Sequence, residues 1–153
     1  VKVDTKTRGP IDVDDRQKIT FPQGLFGFED LKDYVLMDAE QAPFYWLQSV
    51  DEKQVAFVLI DPLLFRSDYT LKFDADDYSD IGIASAEKAL VFSIVTIPES
   101  GPITANLQGP LIINRETRTG KQAILNDQRW QTKHDIMAEM SAHPHSAQAG
   151  SVK

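Results

Sequence analysis

The chain has no cysteine among its 153 residues, so neither a disulfide framework nor a thiolate metal site is open to it. Its longest apolar run, Val55 to Ile60, falls far short of the roughly 20 residues that a membrane span requires. The opening residues, Val1-Lys2-Val3-Asp4, lack the apolar region of a signal peptide, and with the missing cysteine this points to the cytoplasm. Histidine is scarce and late: His134, His143 and His145 all lie near the C-terminus, and His143-Pro144-His145 reads as a solvated tail rather than a ligand set. Neither a glycine-rich phosphate loop leading into a helix nor a Gly-x-Ser-x-Gly elbow around Ser49 is present. The run Asp74 to Asp80 invites a calcium-loop reading, but an EF-hand counted from Asp74 would place Ser79 where glycine is needed and Ser85 where glutamate is needed. No pair among the 23 acids sits on a recognisable catalytic element. A non-enzymatic binding protein without metal or cofactor is therefore expected.

What is there is β-rich and acidic. With 42% hydrophobic residues, eight Phe, four Tyr and two Trp, the chain can enclose one core, and its length argues against two. The net charge of −7 is unevenly spread. Residues 1–80 hold nine Lys or Arg against seventeen Asp or Glu, whereas residues 81–153 hold seven against six. Such a surface repels phosphate backbones and attracts basic proteins, although keeping a globular protein in solution is the plainer reading of the same acids.

Period-two alternation dominates the chain. Val1, Val3, Thr5 and Thr7 alternate with Lys2, Asp4 and Lys6, as in a half-buried strand; Gly9-Pro10 interrupts, and Ile11 and Val13 resume it. Strand-like runs recur at Lys18 to Phe21, Tyr34 to Met37, Phe44 to Val50, Val55 to Ile60, Leu90 to Ile97, Leu111 to Asn114 and Gln122 to Leu125. Val55 to Ile60 and Val91 to Ile97 are apolar on both faces, so they are expected to be enclosed, as in a barrel or a sandwich. Thr119-Gly120 predicts a hairpin that pairs Leu111 to Asn114 with Lys121 to Leu125. Helical signal is thin: a turn or two over Phe28 to Asp33, one over Ser85 to Ala89, and a short stripe of Trp130, Met137 and Met140 that reads as packing. Past Met140 there is almost nothing to bury, so one domain over residues 1–137 and a disordered tail over 138–153 are expected.

The aromatic run Phe44-Tyr45-Trp46 could stack nucleic-acid bases, but such platforms pair with a basic groove, and here Glu40, Asp51 and Glu52 face only Lys53; core packing is the reading adopted. Phe26 and Phe28 flank Gly27, which predicts one buried and one partly exposed ring. Gly24 and Gly27 are expected to take positive φ, and Asn106 and Asn114 to satisfy loop backbone groups.

Five stretches carry more than composition does. Phe21-Pro22-Gln23-Gly24-Leu25-Phe26-Gly27-Phe28 joins a strand end to a turn; Leu47-Gln48-Ser49 follows an aromatic strand; Thr104-Ala105-Asn106-Leu107-Gln108-Gly109-Pro110 leads into the apolar Leu111 to Asn114. Gly120-Lys121-Gln122 opens a strand, and Trp130 precedes Lys133-His134. In this order and register they resemble the flagellar assembly factor FliW family, over roughly residues 1–137. Two positions depart from the family pattern: Gly109 where Ala is usual, and Asp135 where Pro is usual.

The resemblance implies an all-β fold, a compact small β-barrel-like single domain with one or two short helical turns. It also implies a non-catalytic cytoplasmic protein, a monomer when free, with two partners. One is flagellin before export; the other is the translational regulator CsrA, whose capture relieves repression of the flagellin message. No membrane and no direct nucleic acid is expected as a partner. The CsrA-facing surface is placed on Asp68, Tyr69, Asp74, Asp76 and Asp77, together with the Ile97-Pro98-Glu99 bend and Ile103. Two readings stand for each of these: a solvated loop or a contact for the acids, core or contact for Ile97 and Ile103. The alternative for the whole chain is a small β-barrel module that binds a nucleic acid or a small ligand directly. Retention on heparin at low salt would favour that alternative.

Overall fold

The computed structural model describes residues 2–71, 78–83 and 85–142. Strands β1 (Lys2–Thr5) and β2 (Gly9–Asp12) form a separate antiparallel hairpin, in which Val3 and Thr5 are buried and Lys2 and Asp4 exposed, as their alternation predicts. Val3 and Val13 pack on Val35 and Met37 of the main sheet. That sheet begins with a meander, β3 (Lys18–Thr20), β4 (Asp33–Asp38), β5 (Tyr45–Ser49), β6 (Ala56–Ile60) and β7 (Ala89–Thr96), each antiparallel to the next. The far side of β7 is divided. Its first half pairs with β9 (Leu111–Asn114), which carries β10 (Gly120–Gln122); its end pairs with the two-residue β8 (Thr104–Ala105), which carries β11 (His134–Asp135).

The fold is all-β, with one helix, α1 (Ile136–Ala142), and a few single 3-10 turns among the described residues. Asp135 starts the helix by accepting the Ala138 N–H at 3.0 Å, an N-cap that a proline there could not provide. Residues 143–153, most of the expected tail, lie outside the described residues. The sheet curls until β3 meets the β9–β10 turn at one parallel bridge, Thr20 to Thr119, with the Thr20 N–H donating to Arg118 O at 3.0 Å. It is not closed. One core, built from Ile19, Phe21, Tyr34, Leu47, Leu59, Leu111 and Ile113, fills the curl; a second, around Phe65, Tyr69, Leu107 and Trp130, lies at the β8 end.

Most strands fall within a residue or two of their expected bounds. The β9–β10 hairpin does not. Its turn comes earlier than Thr119-Gly120: Asn114 Oδ1 accepts the N–H groups of Glu116 and Thr117, and Arg118 takes φ 60°. That left-handed position ordinarily falls to glycine in such loops, and an L side chain there costs roughly 1–2 kcal/mol. Gly120 instead lies within β10, opposite Ile113. A Cβ on it would come within 2.8 Å of the Phe21 ring and 2.9 Å of Ile113, so glycine is needed there for close packing rather than for a turn. As a result β10 ends at Gln122, and Ile124 is exposed.

Three further expectations need correction. Phe28 to Asp33 forms turns rather than helix, because the loop is pinned by single bonds such as Phe28 N–H to Leu25 O and then enters β4. Phe26 and Phe28 are 51% and 37% exposed. Gly27 at φ 87° turns the chain so that Leu25 is the residue buried, while Phe28 meets Phe57 edge-on. The doubly apolar runs are only partly enclosed: Phe57, Val58, Leu90 and Val91 are half-buried although β6 and β7 are central strands of the sheet. By contrast, Gly24 takes φ 71°, and a Cβ there would meet Glu29 Cα at 2.5 Å. Asn106 accepts the Gln108 and Gly109 N–H groups, as expected. Tyr45 packs edge-on against Phe92, and Trp46 packs against the core under the β1–β2 hairpin, but both rings and Phe44 are half-buried, so the core reading of the aromatic run holds in part.

Candidate functional site

Arg66 and Tyr69 come from one part of the chain and Trp130, His134 and Glu139 from another, and they meet at the second core. Tyr69 stands at the end of the turn after β6, where its N–H donates to Arg66 O. Its ring meets Trp130 edge-on at 4.8 Å, and its hydroxyl donates to Leu107 O at 2.7 Å. Burial, and then the neighbouring Tyr78, push its pKa well above the ordinary phenol value. Two guanidiniums, Arg66 and Arg129, each stand 4.8 Å from the Trp130 ring centre. Each is also held by a carboxylate two residues away: Arg66 forks onto both oxygens of Asp68 at 2.8 and 2.6 Å, and Arg129 onto Asp127.

Glu139 ties this layer to α1. It accepts from Arg66 Nη1 at 2.7 Å and faces His134 Nδ1 at 3.2 Å. Burial works to raise its pKa, but the bonds from Arg66 and His134 outweigh that and hold the carboxyl below its ordinary value. His134 Nε2 accepts the Gln131 N–H at 2.8 Å, so the proton facing Glu139 belongs to Nδ1. Both nitrogens are thus engaged in holding the chain, and neither is poised as a base toward a nucleophile. Among the described residues no group of three His, Asp or Glu side chains could hold a metal. The arrangement is suited to presenting a fixed surface.

The expected contact residues fall around this cluster in different ways. Asp68 is 44% exposed at its edge, oriented by Arg66. Tyr69 is 4% exposed and supports the loop from within. Ile103 is half-buried against the same core, and its carbonyl accepts the Ile136 N–H. Pro98 and Glu99 are exposed, and Ile97, 56% exposed, lines a groove of about 240 Å³ with Phe44, Trp46 and Val58. Phe44 and Val58 also pack on the Tyr69–Trp130 core, so the bend and the cluster share a floor. Thr70 and Leu71 separate two larger cavities, of about 500 and 710 Å³. Asp74, Asp76 and Asp77 lie outside the described residues. Sequence reasoning did not single out Arg66, Arg129 and Glu139; the spacing of Arg66 to Asp68 and of Asp127 to Arg129 is the one local sign of them.

The fold and this cluster describe a β-sheet protein that offers a braced polar and apolar surface. The FliW protein family matches residues 2–136, and the chain belongs to that family. It is 48% identical to the flagellar assembly factor FliW of Treponema denticola, over 93% of this chain and 97% of that one. The FliW of Treponema pallidum is 46% identical, over 92% and 95%. The crystal structure of a flagellar assembly factor FliW superposes with a TM-score of 0.81 at 34% identity, covering 89% of this chain and 96% of the other. Membership in this family supports a role in flagellar assembly.

Proposed function

We propose that the protein binds flagellin in the cytoplasm and, when free of it, captures CsrA, so that flagellin export relieves repression of flagellin translation. The reading rests first on membership in a family of flagellar assembly factors. The observation that favours a basic protein as one partner is the charge: an excess of acid confined to residues 1–80, in a chain of net charge −7. An anionic domain is drawn to a cationic RNA-binding protein and lowers the potential that attracts RNA to it. Asp68 with the Ile97-Pro98-Glu99 bend supplies the exposed contacts in this proposal, and Tyr69 and Ile103 support them from beneath. Asp74, Asp76 and Asp77 are assigned to the same surface from their sequence alone.

A partner switch requires that one bound species depress the affinity for the other. Titrating flagellin into a preformed complex with CsrA, followed by size-exclusion chromatography or fluorescence anisotropy of labelled CsrA, is expected to release CsrA. A stable ternary complex with unchanged CsrA affinity would overturn the switch.

A further inference from the structure

The turn between β9 and β10 brings an arginine to the open seam of the sheet. Arg118 Nε is shut off from solvent and has no hydrogen-bond partner among the described residues, although it lies in a chain with an excess of acid. It lines a cavity of about 440 Å³ with Arg16, Gln17 and Tyr45. The walls are held by bonds that do not use the two guanidiniums: Gln17 Nε2 donates to Leu36 O, and Arg118 O accepts the Thr20 N–H. Arg115, on the same turn, donates to the carbonyls of Glu87 and Ala89. Among the described residues, none of Arg16, Arg115 and Arg118 forms an ion pair.

Two carboxylates also line the cavity, and among the described residues neither forms an ion pair with Arg16 or Arg118. Asp14 is turned to its own turn, where it accepts the Arg16 N–H at 2.9 Å, and Asp38 is exposed. Burial, then Arg16, then Arg115 push the Arg118 pKa down, with no carboxylate acting on it from the other side. A buried guanidinium nitrogen without a partner is costly unless an acceptor reaches it, and two guanidiniums on one cavity suit the oxygens of a single anion.

We propose that this cavity binds an oxyanion, a carboxylate or phosphate group held between the guanidiniums of Arg118 and Arg16. The ligand meets Arg118 Nε from the cavity side and neutralises the mutual repulsion of the two arginines. A free small anion and an acidic side chain of a polypeptide present the same oxygens. The net charge of −7 disfavours a nucleic-acid backbone as their source. The site is independent of the flagellin and CsrA reading.

The test follows the arginine Nε–Hε resonances of the full chain by NMR at constant ionic strength. Inorganic phosphate, succinate and a hexaglutamate peptide are the three probes, with chloride as the control. The Arg118 resonance is expected to move saturably with at least one probe, with half-saturation at about 1 mM, the range of a weak specific contact. Arg16→Gln should weaken that probe at least ten-fold at the Arg118 resonance, and Arg118→Gln at least ten-fold at the Arg16 resonance. Saturation by phosphate or succinate identifies a free anion as sufficient; saturation by the peptide alone assigns the site to an acidic polypeptide. No saturable movement with any probe overturns the proposal. So does a movement that persists unchanged in Arg16→Gln, an exposed substitution that leaves the core intact.

Discussion

Two arginine-bearing regions of this molecule make opposite use of the same side chain. Around Trp130, Arg66 and Arg129 each fork onto a carboxylate two residues away and stand over one indole ring. At the seam, Arg118 and Arg16 line one cavity with Asp14 and Asp38, and among the described residues neither arginine forms an ion pair. In the first region charge is spent on order: each cation has an anion and an aromatic face, and Glu139 locks the layer to the C-terminal helix. In the second, no direct ion pair orders the guanidiniums among the described residues. The difference shows that net charge is a poor guide to local pairing, since a chain of −7 leaves Arg16 and Arg118 without an ion pair among the described residues.

The comparison can be broken most forcefully at Trp130. It is 2% exposed and is the largest side chain of the second core, so Trp130→Ala is expected to destabilise the fold by about 3–5 kcal/mol in urea denaturation. Arg66 and Arg129 would lose their shared ring at the same time. A loss of a few tenths would mean that the indole is decoration on the ion pairs.

Glu139→Gln is the next largest effect. It removes the charge that Arg66 and His134 both address, and a charged hydrogen bond of this kind contributes about 1.5–3 kcal/mol. The pH dependence carries a sign. Because the folded carboxyl titrates below its ordinary value of 4.5, its contribution is complete above that pH and is lost as pH falls through the lower, folded value. Urea midpoints measured from pH 6 down to pH 3 should therefore fall more steeply in the wild type than in Glu139→Gln. Parallel curves would remove Glu139 from the account.

At the seam the expected sign reverses. Arg118→Gly relieves a left-handed residue at φ 60° and removes an unsatisfied buried nitrogen, so thermal unfolding should show a gain of up to about 1 kcal/mol. A residue that lowers stability and is kept for binding behaves this way; a destabilised Arg118→Gly would make the arginine structural, like Arg66. The smallest effect is expected from truncation after Met140. The removed residues 141–153 offer few apolar side chains, and a change within about 0.5 kcal/mol is expected by the same measurement.

Much of the sheet was legible from local pattern. The alternation in Lys2–Thr5 marks β1 because burial of one strand face imposes period two on the sequence itself, and the continuous apolar runs at Tyr34 to Met37 and Leu111 to Asn114 lie on β4 and β9, which are buried on both faces. Gly24, Asn106 and Asn114 were legible as turn residues for a similar reason: their requirement is set by bonds to residues two or three away. Gly120 was misread because both turns and close packing select glycine. The packing partner, Phe21, is a hundred residues distant in effect and invisible to a local window.

The candidate site was half legible. Asp68, Ile97, Pro98 and Glu99 were picked out and are exposed, while Tyr69, from the same short list, is buried. An aromatic residue beside an acid in a loop looks the same in sequence whether its ring faces solvent or a tryptophan from another part of the chain.

The amino-acid sequence alone determined the class of fold, the strand positions and the family, since alternation and turn chemistry act within a few residues and recur in a recognisable order. Only the tertiary structure decided where the sheet stops short of closure, which arginines find carboxylates and which do not. Those outcomes depend on pairs such as Arg66 and Glu139, 73 residues apart, whose meeting is set by how the strands stack rather than by any neighbour in the chain.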